Sequence, residues 1–169
     1  MSLVVLLGGA RCGKSALAQR IAGDTATLIA TAAALDAEME ERIRRHRAER
    51  PAGWTTVEET IELGETLTGV DANATVVVDC LSLWVANLLE AGVDDSEVED
   101  AARDIAAAAA ARPGTTIAVS NEVGLGVVPA TTLGRRYRDV LGRVNATWVG
   151  AADRALLVVA GKAIPLGDA

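Results

Sequence analysis

The sequence predicts an α/β protein built on a mainly parallel sheet with helices on both faces, and three observations predict it. Short apolar or β-branched runs recur at 3–7, 75–78 and 116–120, the pattern of strands buried on both faces rather than one. Longer segments with helical periodicity separate them, and such alternation specifies parallel pairing through helical crossovers. The first apolar run ends in a glycine-rich turn that leads straight into a helix. Half of the 169 residues are apolar, and a chain of this length hides roughly 70% of its unfolded surface. Aromatic residues make up only 2%, so the expected core is Val, Leu, Ile and Ala. No repeat, linker or break in composition interrupts the chain, so one domain over residues 1–169 is expected.

The elements follow in order. Leu3–Leu7 is a buried strand bounded by Gly8-Gly9, and Ser15–Ala22 is the helix after it. Thr27–Ala30 is a second strand. Asp36–Arg50 reads as a helix capped by Asp36 and stopped by Pro51. Thr75–Val78 is a strand ending at Asp79, followed by a helix over Leu81–Glu90. Ser96–Arg112 is helical, with Ser96 as N-cap and Pro113-Gly114 as terminator. Thr116–Ser120 is the next strand and Leu133–Val149 the next helix; Leu156–Val159 and Ile164–Leu166 close the chain as strands. Ligands in parallel sheets bind beyond the carboxyl ends of the strands. Gly8, Ala30-Thr31, Asp79 and Asn121 all fall on that edge.

Charge and composition exclude several functions. A net charge of −7 and a pI near 4.7 argue against a nucleic-acid footprint. No apolar run approaches the roughly 18 residues of a membrane helix, and the N-terminus lacks a basic leader or cleavage-site pattern. A cytoplasmic protein is expected. Two cysteines, Cys12 and Cys80, are too few for a disulfide framework or a zinc site. Both fall on the ligand edge, where a bridge is conceivable, but two free thiols are expected in a reducing compartment.

Gly8-Gly9-Ala10-Arg11-Cys12-Gly13-Lys14-Ser15 matches the phosphate-loop pattern G-x-x-x-x-G-K-[ST] in the required strand–loop–helix setting. Its glycines let consecutive N–H groups converge on one anion, and the helix N-terminus adds its dipole. Lys14 supplies a cation for the phosphate oxygens, and the Ser15 hydroxyl is a magnesium ligand. Val76-Val77-Val78-Asp79 adds the partner, an apolar strand ending in a carboxylate that holds Mg²⁺ directly or through water. The chain is therefore expected to be a P-loop NTPase of RecA-like build. Its substrate is a nucleoside triphosphate with Mg²⁺.

The single histidine, His46, lies in the expected charged helix. At 100° per residue Met39, Ile43 and His46 fall within about 60° of one another, so His46 shares the apolar stripe and faces the protein. That placement suits a hydrogen-bonded core histidine. It also suits a nucleophile, since imidazole is largely neutral near pH 7. The arginines from Arg42 to Arg50 are either a solvated face balancing Glu38, Glu40 and Glu41 or contacts for phosphates.

Further segments narrow the reading: Ile29-Ala30-Thr31-Ala32, Asp36-Ala37-Glu38-Met39 with Arg42, Ile43 and His46, Arg50-Pro51, and Trp54-Thr55-Thr56-Val57-Glu58. Val78-Asp79-Cys80-Leu81-Ser82-Leu83-Trp84, Asn87-Leu88-Leu89, and Asn121-Glu122-Val123-Gly124 with Gly126 and Val128-Pro129 follow. Arg135, Arg138-Asp139, Gly142 and Asn145 complete the set. In these residues the chain resembles the bifunctional adenosylcobinamide kinase / adenosylcobinamide-phosphate guanylyltransferase family of cobalamin biosynthesis, over nearly its whole length. The resemblance implies two reactions at one nucleotide site. In the first, the γ-phosphoryl group of ATP or GTP passes to the hydroxyl of the aminopropanol arm of adenosylcobinamide. In the second, His46 attacks the α-phosphorus of GTP and expels pyrophosphate. The GMP then moves to adenosylcobinamide phosphate, giving adenosylcobinamide-GDP.

The resemblance also implies that Thr31, Ala32, Ala33, Arg47, Ala48, Glu49, Arg50 and Glu58 join the phosphate loop in contacting nucleotide. A phosphoanhydride displacement needs cations around the phosphates, and Lys14, Mg²⁺ and arginines such as Arg11, Arg47 and Arg50 can supply them. The resemblance further implies a homo-oligomer, a trimer. Arg135, Arg136 and Arg138 would then either reach phosphates of a neighbouring subunit or form a solvated helix face. Cys12 departs from the Ser usual in the family, and Ala146 from the Gln that commonly follows Asn145. Two other readings remain: a phosphate-loop small-molecule kinase with a structural His46, and a nucleotide-dependent switch. The guanine-reading N-K-x-D motif of GTPase switches does not occur.

Overall fold

The computed structural model describes residues 2–32 and 51–167. Over these the chain forms β1 (Ser2–Leu7), α1 (Lys14–Ala22), β2 (Thr25–Ala30), β3 (Gly53–Glu58), α2 (Leu63–Gly69), β4 (Val76–Asp79), α3 (Leu81–Glu90), α4 (Asp95–Ala111), β5 (Thr115–Val119), α5 (Thr132–Ala151), β6 (Arg154–Val159) and β7 (Lys162–Leu166). The expected helix Asp36–Arg50 lies outside the described residues.

One seven-stranded sheet runs in the order β3-β2-β4-β5-β1-β6-β7. Every pairing is parallel except β6 with β7. The apolar runs explain why. Along β1, Leu3, Val5 and Leu7 enter one core and Val4 and Leu6 the other, because successive side chains on a strand point to opposite faces. The first core lies under α2, α3, α4 and α5; the second is covered by α1 through Ala18, Leu17 and Ile21. The expected α/β class with helices on both faces is the one observed. The aliphatic core needs one correction: Trp84 and Trp148 are its largest side chains, 1% and 0% exposed.

Two elements departed from the sequence reading. β3 was not foreseen, because it is an edge strand whose side chains are mostly exposed and so carry no apolar run. α2 has only seven residues, too short for a periodic signal. The N-cap of α4 is Asp94 rather than Ser96, and its N–H donates to Glu97 Oε2 at 3.2 Å. Asp94-Asp95-Ser96 offers three capping residues in a row, and the glutamate three positions after Asp94 selects among them. At the other end of α4, Arg112 is buried and forks onto the loop before β4. It donates to the carbonyls of Leu67 (3.0 Å), Asp71 (2.8 Å) and Ala74 (3.2 Å).

Candidate active site

The topology brings the chemistry to the carboxyl edge of the sheet. β5 lies between β1 and β4, so the strands carrying the phosphate loop and Asp79 are two places apart, about 10 Å at ordinary strand spacing. The turn after β1 closes that gap. Ser15, in the first turn of α1, places its Oγ 3.3 Å from Asp79 Oδ2 and donates to it. Two residues 64 positions apart thus present a hydroxyl and a carboxylate at one point, the hard oxygen donors that Mg²⁺ prefers.

The loop owes its shape to two glycines. Gly8 has φ +151°, and a Cβ there would stand 2.3 Å from the carbonyl oxygen of Val158 and 2.8 Å from Cys12 Sγ. Gly13 has φ +106°, and a Cβ there would stand 3.3 Å from Gly161 Cα. The β6–β7 turn therefore buttresses the loop, and Gly161 N donates to Cys12 O at 2.8 Å. Arg11 also adopts a left-handed backbone, φ 56°, with an exposed side chain. Lys14 is buried (7% exposed), and its Nζ donates to the carbonyls of Gly8 (2.9 Å) and Gly9 (2.7 Å). Those bonds hold the ammonium to the loop that would bind the phosphates. Gly9 and Ala10 are exposed at the crest.

Beyond β2, Thr31 is fully buried and works as a clamp. Its Oγ1 donates to Cys80 O (2.7 Å) and accepts from Cys80 N (2.8 Å), while its carbonyl accepts from Asn87 Nδ2 (2.9 Å). Ala32 follows, half-buried. Glu58 ends β3 in register with Ala30, which pairs in turn with Asp79; the three positions form one row across the edge. Ala33, Arg42, His46, Arg47, Ala48, Glu49 and Arg50 lie outside the described residues.

A polar cluster joins α3, the end of β5 and α5; the sequence placed Asn121 on the ligand edge but not the side chains that bond to it. Asn121 Nδ2 donates to Ser82 Oγ (2.9 Å), and Asn145 Nδ2 donates to Asn121 O (3.1 Å). Ser120 Oγ donates to Asn145 Oδ1 (2.7 Å), and Tyr137 Oη to Ser82 O (3.1 Å). Burial pushes the Tyr137 phenol up to about 12, with the neighbouring Cys80 adding to the shift. Burial likewise raises the Cys80 thiol, assisted by the charge of Asp79. Cys12 and Cys80 are both free, so no bridge forms. Polar residues spaced along different elements carry no signal until the fold assembles them.

The arginines of α5 are engaged within their own chain. Arg136 pairs with Asp95 (2.6 Å) and donates to Val93 O. Arg135 donates to the carbonyls of Pro129 and Ala130, and Arg138 pairs with Asp139. No helix among the described residues is long and apolar enough to cross a membrane.

Comparison with known proteins places this geometry. The chain is 44% identical over 167 residues to the bifunctional adenosylcobalamin biosynthesis protein CobP of Pseudomonas aeruginosa, covering 96% of this chain and 95% of that one. It is 36% identical to the corresponding protein CobU of Escherichia coli and 37% to that of Salmonella typhimurium, covering 94% of this chain and 96% of each relative. Among solved structures, a Pyrococcus horikoshii protein, PH0250, aligns with a TM-score of 0.58 at 10% identity, over 97% of this chain and 85% of that one. The P4 protein of bacteriophage phi6 in complex with ADP aligns at 0.52 and 17% identity, over 96% and 52%; both likenesses speak to the fold. Residues 4–166 match the family model described as cobinamide kinase / cobinamide phosphate guanyltransferase, and the chain belongs to that family.

Proposed function

We propose that this protein carries both activities of its family as one catalytic unit spanning the chain: an adenosylcobinamide kinase and an adenosylcobinamide-phosphate guanylyltransferase. The observation that carries the reading is the convergence of the phosphate loop and Asp79 at one sheet edge, with Ser15 Oγ 3.3 Å from Asp79 Oδ2, in a chain that matches the family over residues 4–166. The Ser15 hydroxyl and the Asp79 carboxylate would hold Mg²⁺. When bound, the ion neutralises charge on the phosphate oxygens.

This chain's own groups supply binding and orientation. The N–H groups of Gly9 to Ser15 bind the triphosphate, and the Lys14 ammonium sits beside them. In the kinase step the arm hydroxyl of adenosylcobinamide attacks the γ-phosphorus of ATP or GTP. A new P–O bond forms, the bond from the γ-phosphorus to the β,γ-bridging oxygen breaks, the hydroxyl gives up its proton to solvent, and the nucleoside diphosphate leaves. In the second reaction the neutral imidazole of His46 attacks the α-phosphorus of GTP, forms a P–N bond and releases pyrophosphate. The substrate phosphate then displaces the imidazole to give adenosylcobinamide-GDP. Thr31, Ala32, Ala33, Arg47, Ala48, Glu49, Arg50 and Glu58 contribute the remaining nucleotide contacts. A homotrimer in the cytoplasm belongs to the same proposal.

The test is incubation with Mg²⁺ and GTP labelled at the α-phosphorus, alkaline denaturation, and counting of protein-bound label, beside γ-labelled GTP and His46→Ala. The expected result is an alkali-stable, acid-labile α-label that disappears in His46→Ala, together with phosphorylation of adenosylcobinamide. A folded, GTP-binding protein that takes up no α-label refutes the guanylyl half and leaves a kinase with a structural histidine.

A further inference from the structure

The connection between β5 and α5 combines two features that seldom coincide: both its ends are tethered, and its middle is bare and apolar. At the first end Asn121 is held by Ser82 and Asn145, and Glu122 N donates to Gly8 O at 3.1 Å. Glu122 Oε1 then accepts from Gly124 N at 2.7 Å. At the far end Arg135 folds back onto the carbonyls of Pro129 (2.9 Å) and Ala130 (2.8 Å), and Thr131 caps α5. Between these anchors Leu125 is 83% exposed, Val127 94% and Val128 61%.

Residues 123–134 are also the longest stretch of this chain without a charged side chain, although charged residues make up 23% of the whole. Tethering an apolar surface in water is unfavourable unless something covers it.

We propose that Leu125, Val127 and Val128 form the platform on which the corrin macrocycle of the substrate rests while its hydroxyl arm reaches the phosphate loop. The proposal rests on the two-activity reading above and names the ring-binding surface of that site. Three observations favour this occupant. The platform's root is bonded to Gly8 of the phosphate loop itself, so a ring seated here lies beside the transferred phosphoryl group. The corrin rim carries methyl groups and uncharged amides, which an uncharged apolar surface accepts without stranding a charge. The three side chains offer roughly 300 Å² of apolar surface. That matches one flat ring and falls well short of the roughly 800 Å² per partner that a stable protein interface needs.

The experiment uses the full chain with Leu125→Ser, Val127→Ser, Val128→Ser and the triple variant, whose positions are exposed and contribute nothing to the buried core. Three quantities are measured: KM for adenosylcobinamide in the GTP-dependent kinase reaction, Kd for GTP, and sedimentation coefficient. The triple variant is expected to raise KM for the corrinoid at least about tenfold, as loss of apolar contact does, with Kd for GTP and sedimentation unchanged. A ring-free alcohol carrying the same arm should be used equally poorly by wild type and variant. An unchanged corrinoid KM overturns the proposal. So does a KM change that accompanies altered sedimentation, because the surface is then a subunit contact. A wild-type protein that binds GTP yet leaves adenosylcobinamide unphosphorylated removes the two-activity reading, and the platform with it.

Discussion

Gly8→Ala is the sharpest perturbation the phosphate loop allows. The added methyl would stand 2.3 Å from the carbonyl oxygen of Val158 and 2.8 Å from Cys12 Sγ. The first contact is with backbone of β6, which is paired to β1 and has little room to retreat. Placing alanine at φ +151° costs of order 1–3 kcal/mol, and forcing a methyl into a filled space costs about 1–3 kcal/mol more. The sum, roughly 2–6 kcal/mol, corresponds to a GTP affinity at least about thirtyfold weaker if the loop moves. If it does not move, stability falls by the same amount. GTP titration and urea denaturation of the variant read both outcomes. Gly142→Ala is the control: it lies within α5 with nothing within 4 Å of the new Cβ, so it should stabilise by about 0.5–1 kcal/mol. A Gly8→Ala protein that binds GTP within threefold of wild type and unfolds at the same urea concentration would show that the loop geometry does not demand glycine.

Two further predictions follow from buried groups. Tyr137 is the only tyrosine in the chain, so ultraviolet titration reads it alone. Its midpoint should lie at about 12 in the folded protein and near 10 in urea. Because folding holds the proton more tightly, this contribution to stability is complete below about pH 10 and is lost as pH rises toward 12. Tyr137→Phe should flatten that alkaline decline, and a folded-state midpoint near 10 would contradict the burial argument. Arg112→Lys keeps the charge but loses the fork that spans four backbone carbonyls. A loss of about 2–4 kcal/mol is expected in urea denaturation; an unchanged midpoint would mean that the fork does not hold the loop before β4.

How much was legible in the sequence differs element by element. β1, β4 and β5 were readable because strands buried on both faces are continuous runs of apolar and β-branched residues. The phosphate loop was readable because a backbone that curls around an anion needs glycine at set places. β3 and α2 were not: an exposed edge strand such as Gly53–Glu58 has no reason to alternate, and seven residues cannot show a helical period. The arginines at 135, 136 and 138 looked available in sequence, yet two of the three are tied to partners on other segments.

The sequence alone determined the α/β class, the phosphate loop, the carboxylate at Asp79 and the resemblance that pointed to the family, since each rests on residue identities and local patterns along the chain rather than on contacts between distant segments. Only the tertiary structure decided that Ser15 and Asp79 meet, that the β6–β7 turn props up the loop, that Thr31 spends its hydroxyl on Cys80, and that Leu125, Val127 and Val128 stand bare on a connection whose root is bonded to Gly8. Those contacts join residues up to about 150 positions apart, and local patterns carry no record of which distant strand becomes a neighbour. That choice is made by packing two apolar faces of one sheet at once.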